Sequence, residues 1–161
     1  MAISMPYRRE DAVDYAEAWA LRRNPKYYDY ENLGGDCTNF VSQCLYAGSG
    51  VMNYTPTFGW YYIDANRKSP SWTGVVYLYN FLTENISRGV YGRPTSKENA
   101  MPGDVIQLGN QNRWYHSLLL LSREGNELYV AAHDNDALYR PLSSYRYDRV
   151  RFIHILGYYT D

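Results

Sequence analysis

The chain is predicted to be an α+β protein, with helices in its first half and antiparallel strands in its second. Apolar residues recur at intervals of three and four over Tyr7 to Asn24, and again from Cys37 to Leu45, as amphipathic helices require. From Val105 onward the pattern changes to short apolar runs separated by Gly, Asn and Asp, which suits strands and turns. Helices and strands segregated in this way argue for α+β rather than alternating parallel units. A length of 161 residues accommodates one hydrophobic core, so a single domain over 1–161 is expected. No internal repeat, low-complexity stretch or linker interrupts it.

In the first helix Ala12, Val13, Ala16, Trp19, Ala20 and Leu21 form the apolar face, and Pro25 stops it. Tyr27-Tyr28-Asp29-Tyr30 then leads into a Gly34-Gly35 turn. In the second helix Phe40, Val41, Cys44 and Leu45 face inward, Asp36 is a good N-cap residue, and Gly48-Ser49-Gly50 ends the pattern. Met52 to Thr73 has no clean period and reads as a long structured loop. Val75 to Asn85 reads as a short helix with Val76, Tyr79, Leu82 and Phe81 facing in. Expected strands cover 105–108, 114–121, 127–133 and 151–156, with Glu124-Gly125-Asn126 as a hairpin turn.

Composition excludes several classes of partner. Sixteen Lys and Arg against 17 Asp and Glu give a net charge of −1, with no basic stripe for nucleic acid or anionic lipid. No apolar run is long enough to span a bilayer as a helix, and Met1 to Pro6 lacks the hydrophobic region of a signal peptide. The 19 tyrosines and 4 tryptophans are an unusual reserve of rings with polar edges, and a groove for a sugar or peptide is one use for them.

Chemistry centres on Cys37. Placed on the first helical turn, its thiolate would gain from the partial positive charge of the helix N-terminus. The competing reading is a small buried hydrophobe. Cys44 lies on the same helix about 10 Å away, at 1.5 Å rise per residue, beyond the roughly 7 Å limit for a disulfide. Three histidines are available as a base: His116, His133 and His154. If 116–121 and 127–133 pair as a hairpin, His116 and His133 lie across the ladder about 5 Å apart. His133, or its neighbours Asp134, Asn135 and Asp136, would then orient His116, the arrangement a cysteine nucleophile uses. Cys37, His116 and His133 lack zinc-site spacing and a fourth ligand. Asp134-Asn135-Asp136 begins like a calcium loop but has no closing Glu. No phosphate-binding fingerprint is present. No metal or cofactor is expected.

These residues resemble the amidase-domain group within the NlpC/P60-like branch of the papain-like cysteine peptidase superfamily. The resemblance covers nearly the whole chain. It is carried by Tyr7-Arg8-Arg9 with Ala12, Tyr15-Ala16 and Trp19-Ala20, and by the signature Gly34-Gly35-Asp36-Cys37-Thr38-Asn39-Phe40-Val41-Ser42-Gln43. Ser71-Trp72, Pro102-Gly103-Asp104-Val105-Ile106, His116-Ser117 and His133 to Asp136 before Arg140-Pro141-Leu142-Ser143 follow in family order. The resemblance implies a papain-like core, with the nucleophile helix packed on a C-terminal antiparallel sheet. It implies Cys37 as nucleophile, His116 as general base and His133 as third residue, with Asp36, Asn135 and Asp136 in support. Backbone N–H groups at the helix start would hold the oxyanion. The implied reaction is hydrolysis of an amide bond in peptidoglycan or a related peptide, outside the cell, as part of a longer exported protein. Trp60, Trp72, Trp114 and Tyr115 are the candidates to line a cleft. A wall-glycopeptide or partner-binding module without turnover, and an acyltransferase using the same residues, are the alternatives.

Overall fold

The computed structural model describes residues 2–161. In chain order its elements are β1 (Ile3–Met5), α1 (Arg9–Trp19), α2 (Cys37–Ser49), β2 (Tyr62–Asp64), β3 (Arg67–Lys68), α3 (Pro70–Thr73), α4 (Val75–Glu84), β4 (Gly89–Thr95), β5 (Val105–Gly109), β6 (Trp114–Glu124), β7 (Glu127–Ala132), β8 (Ala137–Pro141), a 3₁₀ turn (Leu142–Ser144) and β9 (Arg149–Thr160). The result is α+β, and its seven-stranded sheet is antiparallel throughout.

β9 organises the sheet. β4 runs along it from Phe152 to Tyr159, so β5, on Arg149 to Ile153, and β1, on Tyr158 to Thr160, must share its other edge. From β5 the sheet continues through β6 and β7 to β8, while β2 and β3 form a separate ribbon. Side chains alternate along β6, as a period of two requires. Leu119 and Leu121 pack with Ala16 of α1, with Ala20 just after it, and with Phe40 and Cys44 of α2. Leu118 and Leu120 pack on the opposite face with Leu108, Val130 and Phe152. A third cluster, built on Trp60, Trp72, Leu45, Leu78 and Ile153, joins the middle loop to α2, α4 and β9.

The departures from the expected elements have local causes. α1 ends at Trp19 instead of reaching Asn24: the Trp19 carbonyl accepts the Arg22 N–H in a tight turn and also meets the His133 ring, while Leu21 is exposed. α4 buries Leu78, Phe81 and Leu82, and Val76, expected to face inward, is exposed. The long loop folds into β2, β3 and α3 around the buried Trp60 and Trp72. β4 was not expected, because Gly89, Gly92 and Pro94 are poor strand residues. It is an edge strand, where a missing N–H is tolerated. Its register shifts beside Gly92, where an added Cβ would lie 2.5 Å from the His154 carbonyl oxygen.

Candidate active site

α2 opens at Cys37, and its sulfur lies against the β6 backbone on both sides of His116. Sγ is 4.0 Å from the Tyr115 carbonyl oxygen, and the Ser117 backbone N–H and the Thr38 hydroxyl donate towards it. Cys37 is only 6% exposed, and Cys37 and Cys44 are both free thiols. Burial pushes the Cys37 thiol up to about 11, the Asp134 charge adds to this, and the donors at Ser117 and Thr38 oppose it. The resting sulfur is therefore a thiol. The expectation that the helix terminus would hold a thiolate is corrected by desolvation, which outweighs the dipole.

A second reason lies at the cap. Asp36 occupies the N-cap position but makes no side-chain cap bond. Its fully buried carboxylate accepts the Tyr30 N–H (2.8 Å) and the Asn39 amide (2.9 Å) on Oδ1, and meets His133 Nδ1 (2.5 Å) on Oδ2. Asp134 caps the helix instead, from the turn between β7 and β8. Its carboxylate accepts the Asp36 N–H at 2.8 and 3.0 Å and the Cys37 N–H at 3.2 Å. Of the backbone donors expected to form an oxyanion site, the Cys37 N–H is thus occupied at rest. Gly35 is required by this contact: its φ is +104°, and an added Cβ would sit 2.8 Å from Asp134 Oδ2.

His116 is buried and faces a cavity of about 480 Å³, lined with it by Tyr115, Asp134, Asn135, Arg140 and Tyr145. Its ring centroid is 5.8 Å from that of Tyr145. Burial pushes its pKa down to about 4; the Asp134 charge opposes that shift and the Arg140 charge adds to it. The ring is therefore a neutral imidazole at neutral pH, able to take a proton. Among the described residues no hydrogen bond joins it to the Cys37 sulfur.

His133 does not reach His116. Nδ1 meets Asp36, Nε2 meets the Trp19 carbonyl at 2.8 Å, and the ring stacks on Phe40 at 4.2 Å between centroids. The reason is register. A bulge near Leu121 sets Leu119 opposite Ala131, and continuing that register puts His133 opposite Ser117 and Asp134 opposite His116. A one-residue shift reverses the face each side chain takes. His133 is a positioning residue for Asp36, and Asp134 occupies the place beside His116 expected for it.

The remaining expected residues divide. Asn135 is exposed on the cavity wall, with φ +59°. Asp136 forms a bidentate pair with Arg23 (2.8 and 3.1 Å). Tyr115 lines the cavity and donates its hydroxyl to the Arg146 carbonyl. Trp60 and Trp72 are fully buried, with their indole N–H groups donating to Ser42 and Asn39, so neither lines a cleft. Trp114 is half-buried under the guanidinium groups of Arg149 and Arg151, away from the cavity wall. Sequence reasoning missed Arg23, which also contacts Asp29, Glu31 and Asp36 and ties the 29–36 loop to the 134–136 turn. Its place directly after Arg22, inside an expected helix, concealed this role.

A family profile described as "Putative amidase domain" matches residues 6–156, which include every residue of this site. The chain belongs to that amidase-domain family. Two relatives from Bacillus subtilis (strain 168) share its sequence. "Uncharacterized protein YhbB" is 36% identical over 140 residues, covering 83% of this chain and 43% of the relative. "Uncharacterized protein YjcM" is 29% identical over 141 residues, covering 81% of this chain and 31% of the relative. The amidase domain thus spans less than half the length of either relative. No solved structure matches the chain.

Proposed function

We propose that this amidase domain hydrolyses an amide bond through Cys37, with His116 as general base, on a papain-like scaffold of the NlpC/P60 type. The observation that carries this reading is the seating of the Cys37 sulfur against the β6 backbone on both sides of His116. A nucleophile and a neutral imidazole, held on separate rigid elements, are what acyl transfer to sulfur requires. Such pairs are commonly open in unliganded sites and tighten on substrate.

In the proposed reaction His116 takes the thiol proton as the sulfur attacks the carbonyl carbon. The oxyanion takes the Cys37 N–H from Asp134. Imidazolium then protonates the leaving amine, and the acyl group stays on sulfur as a thioester. A water deprotonated by His116 attacks that thioester, and the acid leaves as the thiol regains its proton. Asp134 and Arg140 give the cavity wall both signs of charge, and Tyr115 and Tyr145 give it rings, which suits a polar peptide. Family resemblance names peptidoglycan peptides as the substrate class, acted on outside the cell as part of a longer exported protein.

Incubating muropeptides with the wild type, Cys37→Ala and His116→Ala, and reading products by mass spectrometry, tests this. A new amine and acid pair is expected from the wild type alone. Equal products from Cys37→Ala would remove the nucleophile. One observation favours a non-catalytic binding module instead: the thiol is almost fully covered and its N–H is already engaged. That reading expects muropeptide binding to survive Cys37→Ser while the wild type releases no product.

A further inference from the structure

Behind Cys37, on the face of the sheet turned towards α2, three neighbouring strands carry a line of polar side chains where leucines and valines would be expected. β6 pairs Ser117 with Gln107 of β5, and β5 pairs Gln107 with Arg151 of β9. Gln107, Ser117 and Thr38 are each at most 1% exposed. Buried polar groups at such positions persist when they are mutually satisfied, and the side chains of Gln107, Ser117 and Thr38 are; of the Arg151 guanidinium, Nη2 is buried without a hydrogen-bond partner.

Their hydrogen-bond directions are fixed from one end. The Arg151 guanidinium, sandwiched between Tyr79 and Trp114, donates Nε–H to Gln107 Oε1 at 2.9 Å, which settles the orientation of the amide. Gln107 Nε2 then donates to the Val75 carbonyl (2.9 Å) and to Ser117 Oγ (3.2 Å). Ser117 Oγ has Thr38 Oγ1 as its other partner, at 2.9 Å, so the serine proton points to Thr38. The Thr38 proton is left to point at Cys37 Sγ, 3.8 Å away. Each group accepts from the guanidinium side and donates to the sulfur side.

We infer that Arg151, Gln107, Ser117 and Thr38 form a directed donor relay that stabilises negative charge on Cys37 when its proton leaves, with Thr38 as the positioning residue in contact with the sulfur. The inference rests on the reading of Cys37 as nucleophile. The relay adds to the Ser117 and Thr38 backbone N–H groups, which also favour the thiolate, while Asp134 holds the Cys37 N–H. A hydrogen bond to a charged acceptor is worth more than one to a neutral acceptor. The relay therefore favours the thiolate over the thiol. Asp134, from the β7–β8 turn, is the ionisable group whose charge reaches the sulfur, and the substitutions below leave it, Asp36 and His116 in place.

The test is the rate of iodoacetamide alkylation of Cys37 against pH, read by peptide mass spectrometry. Thr38→Val is expected to slow alkylation roughly fivefold at a fixed pH and to move the profile to higher pH, while Thr38→Ser restores it. Arg151→Met, at the half-buried far end, keeps the stem in its aromatic sandwich and is expected to shift the profile the same way by less. It serves if Thr38→Val does not fold. Profiles of a folded Thr38→Val and of Arg151→Met that superimpose on the wild type would overturn the relay. Hydrolysis by Cys37→Ala would instead remove the nucleophile, whatever the Thr38 profiles show.

Discussion

The carboxylate of Asp134 accepts the backbone N–H of Cys37 at 3.2 Å, so α2 is capped by a residue nearly a hundred positions away. The same carboxylate lines the cavity that His116 faces. One acidic side chain therefore sets the charge felt by both. A negative charge beside a thiol disfavours the thiolate, and beside an imidazole it favours the cation.

Asp134→Asn keeps an acceptor for the helix and removes the charge. Cys37 alkylation is then expected to begin at lower pH than in the wild type, because the thiolate no longer faces a carboxylate. An unchanged or raised profile would separate Asp134 from the sulfur. Asp134→Ala removes the cap as well and is expected to cost about 1–2 kcal/mol in chemical denaturation.

His116 makes folding pH-dependent. Its folded pKa of about 4 lies below its ordinary 6.5, so between those values the unfolded chain binds a proton that the folded chain does not. The stability from burying a neutral ring is complete above pH 6.5 and is lost as pH falls towards 4. The loss amounts to roughly 3 kcal/mol. Urea titrations of wild type and His116→Gln from pH 7 to 4 isolate it, because the difference between the two should shrink by that amount. The acid limb of kcat/KM is expected near pH 4 for the same reason.

Much of this site can be read from single residues, and what cannot depends on register. The Cys37 helix follows from Phe40, Val41, Cys44 and Leu45 at helical spacing, and the hairpin from Glu124-Gly125-Asn126 between apolar runs. The register set at the Glu124–Glu127 turn would continue to Asn135 opposite His116, and one bulge near Leu121 brings Asp134 there instead; neither register brings His133. A two-residue periodicity cannot reveal an extra residue in a run of four leucines. Trp60 and Trp72 illustrate a second limit. A tryptophan in a loop without period reads as a cleft wall or as core equally well, and only the hydroxyl of Ser42 and the amide of Asn39 decide it.

The buried pair of His133 and Asp36 predicts an asymmetric result. Removing one partner strands the other in the interior, whereas the pair itself contributes little net stability. His133→Phe keeps the stacking on Phe40 but leaves Asp36 without its 2.5 Å partner and leaves the Trp19 carbonyl only the Arg22 N–H. A loss of about 3 kcal/mol is expected by denaturation. Asp36→Asn with His133→Phe should recover part of it, since an amide is far cheaper to bury than a carboxylate.

Trp72 is the clearest place to separate core from cleft. Its ring is fully buried, 4.7 Å from Trp60 and 6.1 Å from Tyr27 between centroids, and its indole N–H holds Asn39, whose amide in turn donates to Asp36. Trp72→Phe removes the bicyclic ring's volume and leaves the Asn39 oxygen without a donor, so it is expected to lower stability by roughly 2–4 kcal/mol. If the tryptophan only packs, KM for a muropeptide substrate stays within about twofold of wild type wherever the variant remains folded. Tyr115→Ala, on the cavity wall, should do the reverse and raise KM with a smaller change in stability. A raised KM for Trp72→Phe at unchanged stability would return that ring to the cleft.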